Sequence, residues 1–168
     1  MSELIWNEKI KLNRPLFIIA LKGLFDAAEA ATNSVDRLVT AFDAKPLAHI
    51  DPEIFFNFQE ERPIVRVGEH GREIDWPTNS IWAAHCPNEN HDLVLLSGVE
   101  PHLRWRTFAD SLLEISQTTN AEMVITLGAM VGMAPHTRPL GVVGSAADLS
   151  TAERLGLGSP TYEGPTGL

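Results

Sequence analysis

Cysteine is nearly absent from this chain: Cys86 stands alone in 168 residues, so no internal disulfide can form. A reducing compartment suits such a protein. Positive charge is also scarce. Thirteen Lys and Arg face 22 Asp and Glu, a net charge of −9. That balance excludes a general nucleic-acid binder, whose affinity comes from cations neutralising phosphates. Long hydrophobic runs are missing too. The longest nearly apolar stretch, Met123 to Pro135, is shorter than the roughly 20 residues of a membrane-spanning helix and is broken by Gly128, Gly132 and Pro135. The first residues, MSELIWNEKIKLNRP, are too charged for a signal peptide. A soluble, cytoplasmic protein without membrane or nucleic-acid partners is expected. Chemical signatures are absent as well: there is no Gly-x-Ser-x-Gly elbow, phosphate loop or dinucleotide glycine pattern. The six histidines are dispersed, so neither a metal site nor a cofactor is expected.

What is present is the pattern of an α/β domain. The length fits one domain, 1–168, with a core that needs no disulfide or metal. Leu16 to Leu21 is a continuous apolar run, the mark of a strand covered on both faces. Asp26 with Glu29 resembles a capping arrangement for a helix whose stripe is Ala27, Ala31, Val35, Leu38 and Phe42. Lys45 to Ile50 is a second strand, and strand–helix–strand implies a parallel sheet. Asp51-Pro52-Glu53 opens a short helix bearing Phe55, Phe56 and Phe58, which Pro63 ends. Ile64 to Val67 and Arg72 to Trp76 alternate around a Gly-rich turn and read as an antiparallel hairpin excursion, followed by a strand from Ser80 to His85.

The stretch around which the chain is organised is Asp92 to Ile115: a buried strand from Leu93 to Leu96, a sharp turn at Gly98, a charged loop, and a helix with the stripe Trp105, Phe108, Leu112 and Ile115. Glu122 to Leu127 and Leu140 to Val143 are further strands. Leu149 to Leu155 is a short helix capped by Ser150 and stopped by Gly156.

Ligands of α/β sheets bind beyond the carboxyl ends of parallel strands. That edge would gather Glu100, His102, Arg104, Arg106, His136 and Arg138. Guanidinium forks suit a phosphate or carboxylate, and a Glu or His beside them could move a proton. Gly164 and Thr166, in the loop Glu163 to Gly167, could present amides to the same anion. The competing reading has Arg104 and Arg106 starting a helix and pairing with acidic neighbours or another subunit. No nucleophile stands out, since His85 and Cys86 are adjacent strand residues that point to opposite faces. An enzyme is therefore the less favoured class. Phe55, Phe56, Phe58 and Trp76 are too crowded to share one core and mark a candidate interface.

Several stretches together resemble one family. They are Asp51-Pro52-Glu53 with Phe55, Phe58-Gln59 and Arg62-Pro63; Arg72-Glu73-Ile74 with Trp76-Pro77; Gly98, Glu100-Pro101, Trp105-Arg106 and Phe108; Leu127-Gly128-Ala129; Pro135-His136-Thr137-Arg138-Pro139; and Tyr162-Glu163-Gly164-Pro165-Thr166-Gly167. The set is similar to the proteasome assembly chaperone family of the second-subunit type, in its actinobacterial-like branch. The resemblance implies a three-layer α/β/α sandwich with a mostly parallel sheet, like purine nucleoside phosphorylases. It also implies homo-oligomers in bacteria, a trimer among them, and proteasome subunits as partners for eukaryotic relatives. Members continue past the Gly-Pro-Thr-Gly loop, so a C-terminal portion beyond Leu168 is expected. The alternative to a chaperone-like interaction protein is a binder or enzyme for a phosphate- or nucleoside-like anion.

Overall fold

β-Branched and leucine-rich runs build the centre of the molecule. The computed structural model describes residues 3–69, 71–132, 135–158 and 163–168. These residues divide into two compact units: the chain up to Met130 with Gly167–Leu168, and Val131–Thr166. In the first unit the elements run β1 (Leu4–Trp6), β2 (Leu16–Lys22), α1 (Ala30–Ala41), β3 (Lys45–Ile50), β4 (Ile64–Gly68), β5 (Gly71–Asp75), β6 (Asn79–Ala84), β7 (Leu93–Val99), α2 (Trp105–Thr119) and β8 (Met123–Leu127). The second unit carries α3 (Leu149–Leu155).

Six strands form one sheet in the order β1-β3-β6-β7-β2-β8. β2 pairs in parallel with β7 and with β8, whereas β6 is antiparallel to both β7 and β3, and β1 to β3. The sheet is therefore mixed, with four strands running one way and two the other. β2 and β3 do share a direction, as a βαβ unit requires, but β7 and β6 lie between them. The excursion after β3 brings the chain back antiparallel, and this is what interrupts the expected parallel order.

Alternation along β2 and β7 explains their unbroken apolar runs. Phe17, Ile19, Val94 and Leu96 face Phe108 and Ile115 of α2. Ala20, Leu93 and Leu95 belong to the other face, with Ala31 and Val35 of α1. With one helix on each face, no position on the central strands can be polar without cost.

Several expectations need correction. Asp26 does cap a helix, but its carboxylate accepts from the amides of Ala31 (2.8 Å) and Thr32 (3.3 Å) and from the Thr32 hydroxyl (2.6 Å). A single 3-10 turn, Ala27–Glu29, with Ala28 and Glu29 at φ 56° and 55°, delays the helix. Glu29 pairs instead with Lys22 at 3.1 Å. The segment after Asp51 forms successive turns, not a helix, with the amides of Phe55 and Phe56 both on the Pro52 carbonyl. Gly98 is no turn; it lies inside β7. Trp105 is 37% exposed and does not anchor α2, a task left to fully buried Phe108. Leu140 to Val143 form no strand, and Val142 and Val143 are each 96% exposed. The cap of α3 is Asp148, which accepts from the Thr151 amide and the Ser150 hydroxyl. Those bonds hold its carboxyl down at about 2. Tyr162 and His70 lie outside the described residues.

Candidate functional site

Strands β2, β7 and β8 end side by side, and backbone bonds continue past their ends. The Glu100 amide donates to the Lys22 carbonyl at 2.9 Å, Ala129 to Phe25 at 2.7 Å, and Ala27 to Ala129 at 3.0 Å. The loops at this edge are therefore held by the sheet itself.

Glu100 is a charged side chain set into this edge. It is half-buried, and one carboxylate oxygen accepts from the Leu168 amide at 2.7 Å. It packs so closely over Gly23 that a Cβ there would lie 2.6 Å from a carboxylate oxygen. Glu100 lines a small recess of about 30 Å³ walled by Ile19, Phe25, Thr126 and Leu168. That space suits a single water, not a nucleoside. It also lines an open recess of about 380 Å³ between Lys22, Glu61, His102 and Trp105. The Glu29 carboxylate beside Lys22 raises its ammonium above the ordinary range.

His102 is tied into the neighbouring turns. Its Nδ1 accepts from the Asn57 amide at 3.3 Å, Nε2 lies 3.5 Å from the Glu60 carboxylate, and its ring meets the edge of Phe56. Arg104 precedes α2 in a left-handed conformation, φ 55°, and Arg106 sits in the first turn; both are exposed. Among the described residues neither guanidinium pairs with a carboxylate. His136, Arg138, Gly164 and Thr166 belong to the Val131–Thr166 unit, where the Arg138 amide closes a turn onto the Pro135 carbonyl at 3.0 Å. Glu100, Arg104 and Arg106 belong to the other unit. Among the described residues no three His, Cys, Asp or Glu side chains come together as a metal site.

The four candidate interface aromatics separate. Phe55 and Phe56 are core residues, Phe55 meeting Phe108 edge to face at 5.2 Å. Phe58 and Trp76 meet edge to face at 5.0 Å and leave Trp76 about half exposed, so of the four only this pair offers surface to a partner.

Two buried polar residues were missed in the sequence. Asn79, fully buried, donates from Nδ2 to the Val99 carbonyl (3.0 Å) and accepts with Oδ1 from the Val99 amide (2.6 Å), replacing a backbone partner. Only glycine at position 98 leaves room for it, since a Cβ there would overlap the Asn79 amide. Asp92, at the other end of β7, accepts from the amides of Asn13 (2.8 Å) and Cys86 (2.9 Å) and meets His85 at 3.0 Å. Burial alone would raise its carboxyl; these donors together hold it below the usual carboxylate range. Cys86 is buried, and burial with the Asp92 charge raises its thiol. It is an inert core residue. The available signal was a polar residue at a strand's start: Asn79 opens β6 and Asp92 immediately precedes β7.

A family model described as PAC2 matches residues 20–168. The chain belongs to the PAC2 family. A PAC2 family protein of Streptomyces avermitilis has a solved structure 37% identical in sequence, with a TM-score of 0.87 over 91% of this chain and 66% of its own. A Mycobacterium tuberculosis protein described as a proteasome-assembly chaperone homologue is 38% identical, with a TM-score of 0.81 over 90% of this chain and 65% of its own. Another M. tuberculosis protein, of unknown function, shares the fold at 21% identity, with a TM-score of 0.82 over 99% of this chain and 61% of its own. The chain thus spans slightly less than two thirds of the length of these relatives. No curated protein matches it.

Proposed function

We propose that this PAC2 protein works by binding other proteins, in the manner of a proteasome-assembly chaperone, and not by catalysis. The observation that carries this reading is the 38% identity, over 90% of the chain, to a protein described as a proteasome-assembly chaperone homologue. The character of the strand-end edge supports it: Glu100 is engaged by a backbone amide, and the small recess beside it holds about 30 Å³. Proteasome subunits are the proposed partners, and the purine-nucleoside-phosphorylase-like sandwich is the proposed architecture of the whole. Purified actinobacterial proteasome α-subunits provide the test. Co-elution with this protein at tens of micromolar is expected; separate elution at every concentration would sink the reading.

One observation favours a second reading. Arg104 and Arg106 are exposed and flank Trp105, a wall residue of the open recess; among the described residues neither pairs with a carboxylate, so both are disposed to take an anion. Thermal shift with inorganic phosphate and with nucleosides decides it, because a ligand of the native state must raise the melting temperature. No shift at millimolar concentration removes this reading.

A further inference from the structure

Asn57 is the hub of the turns that follow β3. Its carbonyl accepts from the amides of Glu60 (2.9 Å) and Glu61 (3.0 Å), and its side-chain oxygen accepts from the Gln59 amide (3.1 Å). Its Nδ2 donates to one oxygen of the Glu60 carboxylate at 3.0 Å. The Asn57 amide itself donates to Nδ1 of His102 at 3.3 Å, and the other Glu60 oxygen lies 3.5 Å from Nε2 of the same ring. Asn57, Glu60 and His102 thus close a ring of contacts, with both imidazole nitrogens engaged by one turn.

That ring has a definite protonation state. An amide N–H can only donate, so Nδ1 must keep its lone pair. The neutral imidazole therefore carries its proton on Nε2, toward Glu60. A second proton has one place to go, Nδ1, where it would meet the Asn57 amide hydrogen, donor against donor. The amide bond and the charged ring exclude each other. Histidine is the side chain that takes up a proton between about pH 8 and pH 5. The charged groups around it are Glu60, with Glu61, Glu100 and Lys22 lining the same open recess and Arg104 two positions along the chain. Lys22 is already paired with Glu29, and Phe56 packs on the ring without charge. Carboxylates predominate around the imidazolium that would form.

What the Nδ1 bond holds is local. The amides of His102 and Leu103 both donate to the Phe55 carbonyl, at 2.9 and 3.0 Å, and Phe55 and Phe56 are core residues, so this part of the contact does not need the imidazole. Beyond Phe56 come Asn57 and then Phe58, whose ring meets Trp76 just past the end of β5. We propose that His102 is a proton-operated latch: neutral, it holds the Asn57–Glu61 turn and the seat of the Phe58–Trp76 pair; charged, it releases the Asn57 amide and lets that pair move. The fixed point is the Phe55 carbonyl. Because Trp76 is half exposed, the latch governs a surface that the protein offers to others. It goes beyond the chaperone reading and does not depend on it, since the latch belongs to the chain alone.

NMR of the purified chain tests it. Long-range nitrogen–proton spectra at about pH 7.5 should place the His102 proton on Nε2. Hydrogen exchange of the Asn57 amide, corrected for its intrinsic rate, should show protection that falls roughly tenfold or more by about pH 5, while the amides of β7 keep theirs. His102→Asn sets an oxygen where Nδ1 stood and has nothing to titrate, so its Asn57 amide should stay protected at both pH values. Trp76 fluorescence, taken as the difference from Trp76→Phe, should change over this range in the wild type and not in His102→Asn. The spectra and the exchange of the wild type need no variant, so a His102→Asn chain that failed to fold would leave both to judge the latch. A proton on Nδ1 at neutral pH, equal protection of Asn57 at both pH values in the wild type, or loss of β7 protection along with it overturns the proposal. So does a folded His102→Asn chain that loses protection as the wild type does.

Discussion

Strand β7 and the β4–β5 hairpin are made of similar residues and sit in opposite surroundings. β7 offers Leu93, Val94, Leu95 and Leu96, all buried between α1 and α2. The hairpin offers Ile64, Val65, Val67 and Ile74, all exposed. Burying an aliphatic side chain stabilises a fold by about 1.5–3 kcal/mol, so β7 and its neighbours hold the domain together. The hairpin adds little to that stability. An apolar face kept in water is what a binding surface looks like before its partner arrives. The two regions teach a division of labour: the buried apolar residues of the sheet hold the domain together, while those of the hairpin stay exposed and add little to that stability.

That division can be broken by substitution. The largest effect is expected for Phe108→Ala, which empties the centre of the α2 face; a loss of about 3–5 kcal/mol should appear in chemical denaturation. Gly98→Ala comes next. Its methyl group displaces Asn79 and orphans both backbone groups of Val99, so a loss of roughly 3 kcal/mol is expected by the same measurement. Asp92→Asn keeps one carbonyl oxygen where two amides donate and should cost about 1–3 kcal/mol at neutral pH. The sign of its pH dependence follows from the lowered carboxyl. Asp92 stabilises the fold above its unfolded value of about 3.9, and that contribution fades as pH falls through the lower folded value. The gap between wild type and Asp92→Asn should therefore narrow below about pH 4 in acid titrations of thermal stability. The smallest effect is expected for Val67→Thr. On the open hairpin it should change monomer stability by no more than about 0.5 kcal/mol. A loss of several kcal/mol there would show that the hairpin belongs to the core after all, and the comparison would fail.

The sequence analysis succeeded where a pattern is local. The Leu16–Leu21 and Leu93–Leu96 runs, the Val35 and Phe108 stripes and the hairpin alternation each repeat at the period of their element. It failed where distance in the chain hid the partner. Gly98 looked like a turn because nothing near it reveals Asn79, 19 positions earlier, pressing into the space of its missing side chain. The Phe55–Phe58 crowd looked like an interface because Phe108 and His102, which receive Phe55 and Phe56, lie some fifty positions on. β1 escaped notice because three residues are too few for a period, and it exists only because β3 presents an edge. Leu140 to Val143 has the composition of a strand but pairs with none among the described residues, since composition allows a strand and only a neighbour makes one.

The amino-acid sequence by itself determined the α/β class, the family and the buried faces of the central strands, because periodicity and motif spacing are written along the chain. Only the tertiary structure decided the mixed strand order, the seat of Asn79 beneath Gly98, the hold of Asp92 on two distant loops and the open face of the hairpin. Each of these depends on which segments meet in space, and burial is a property of the meeting and not of either segment alone.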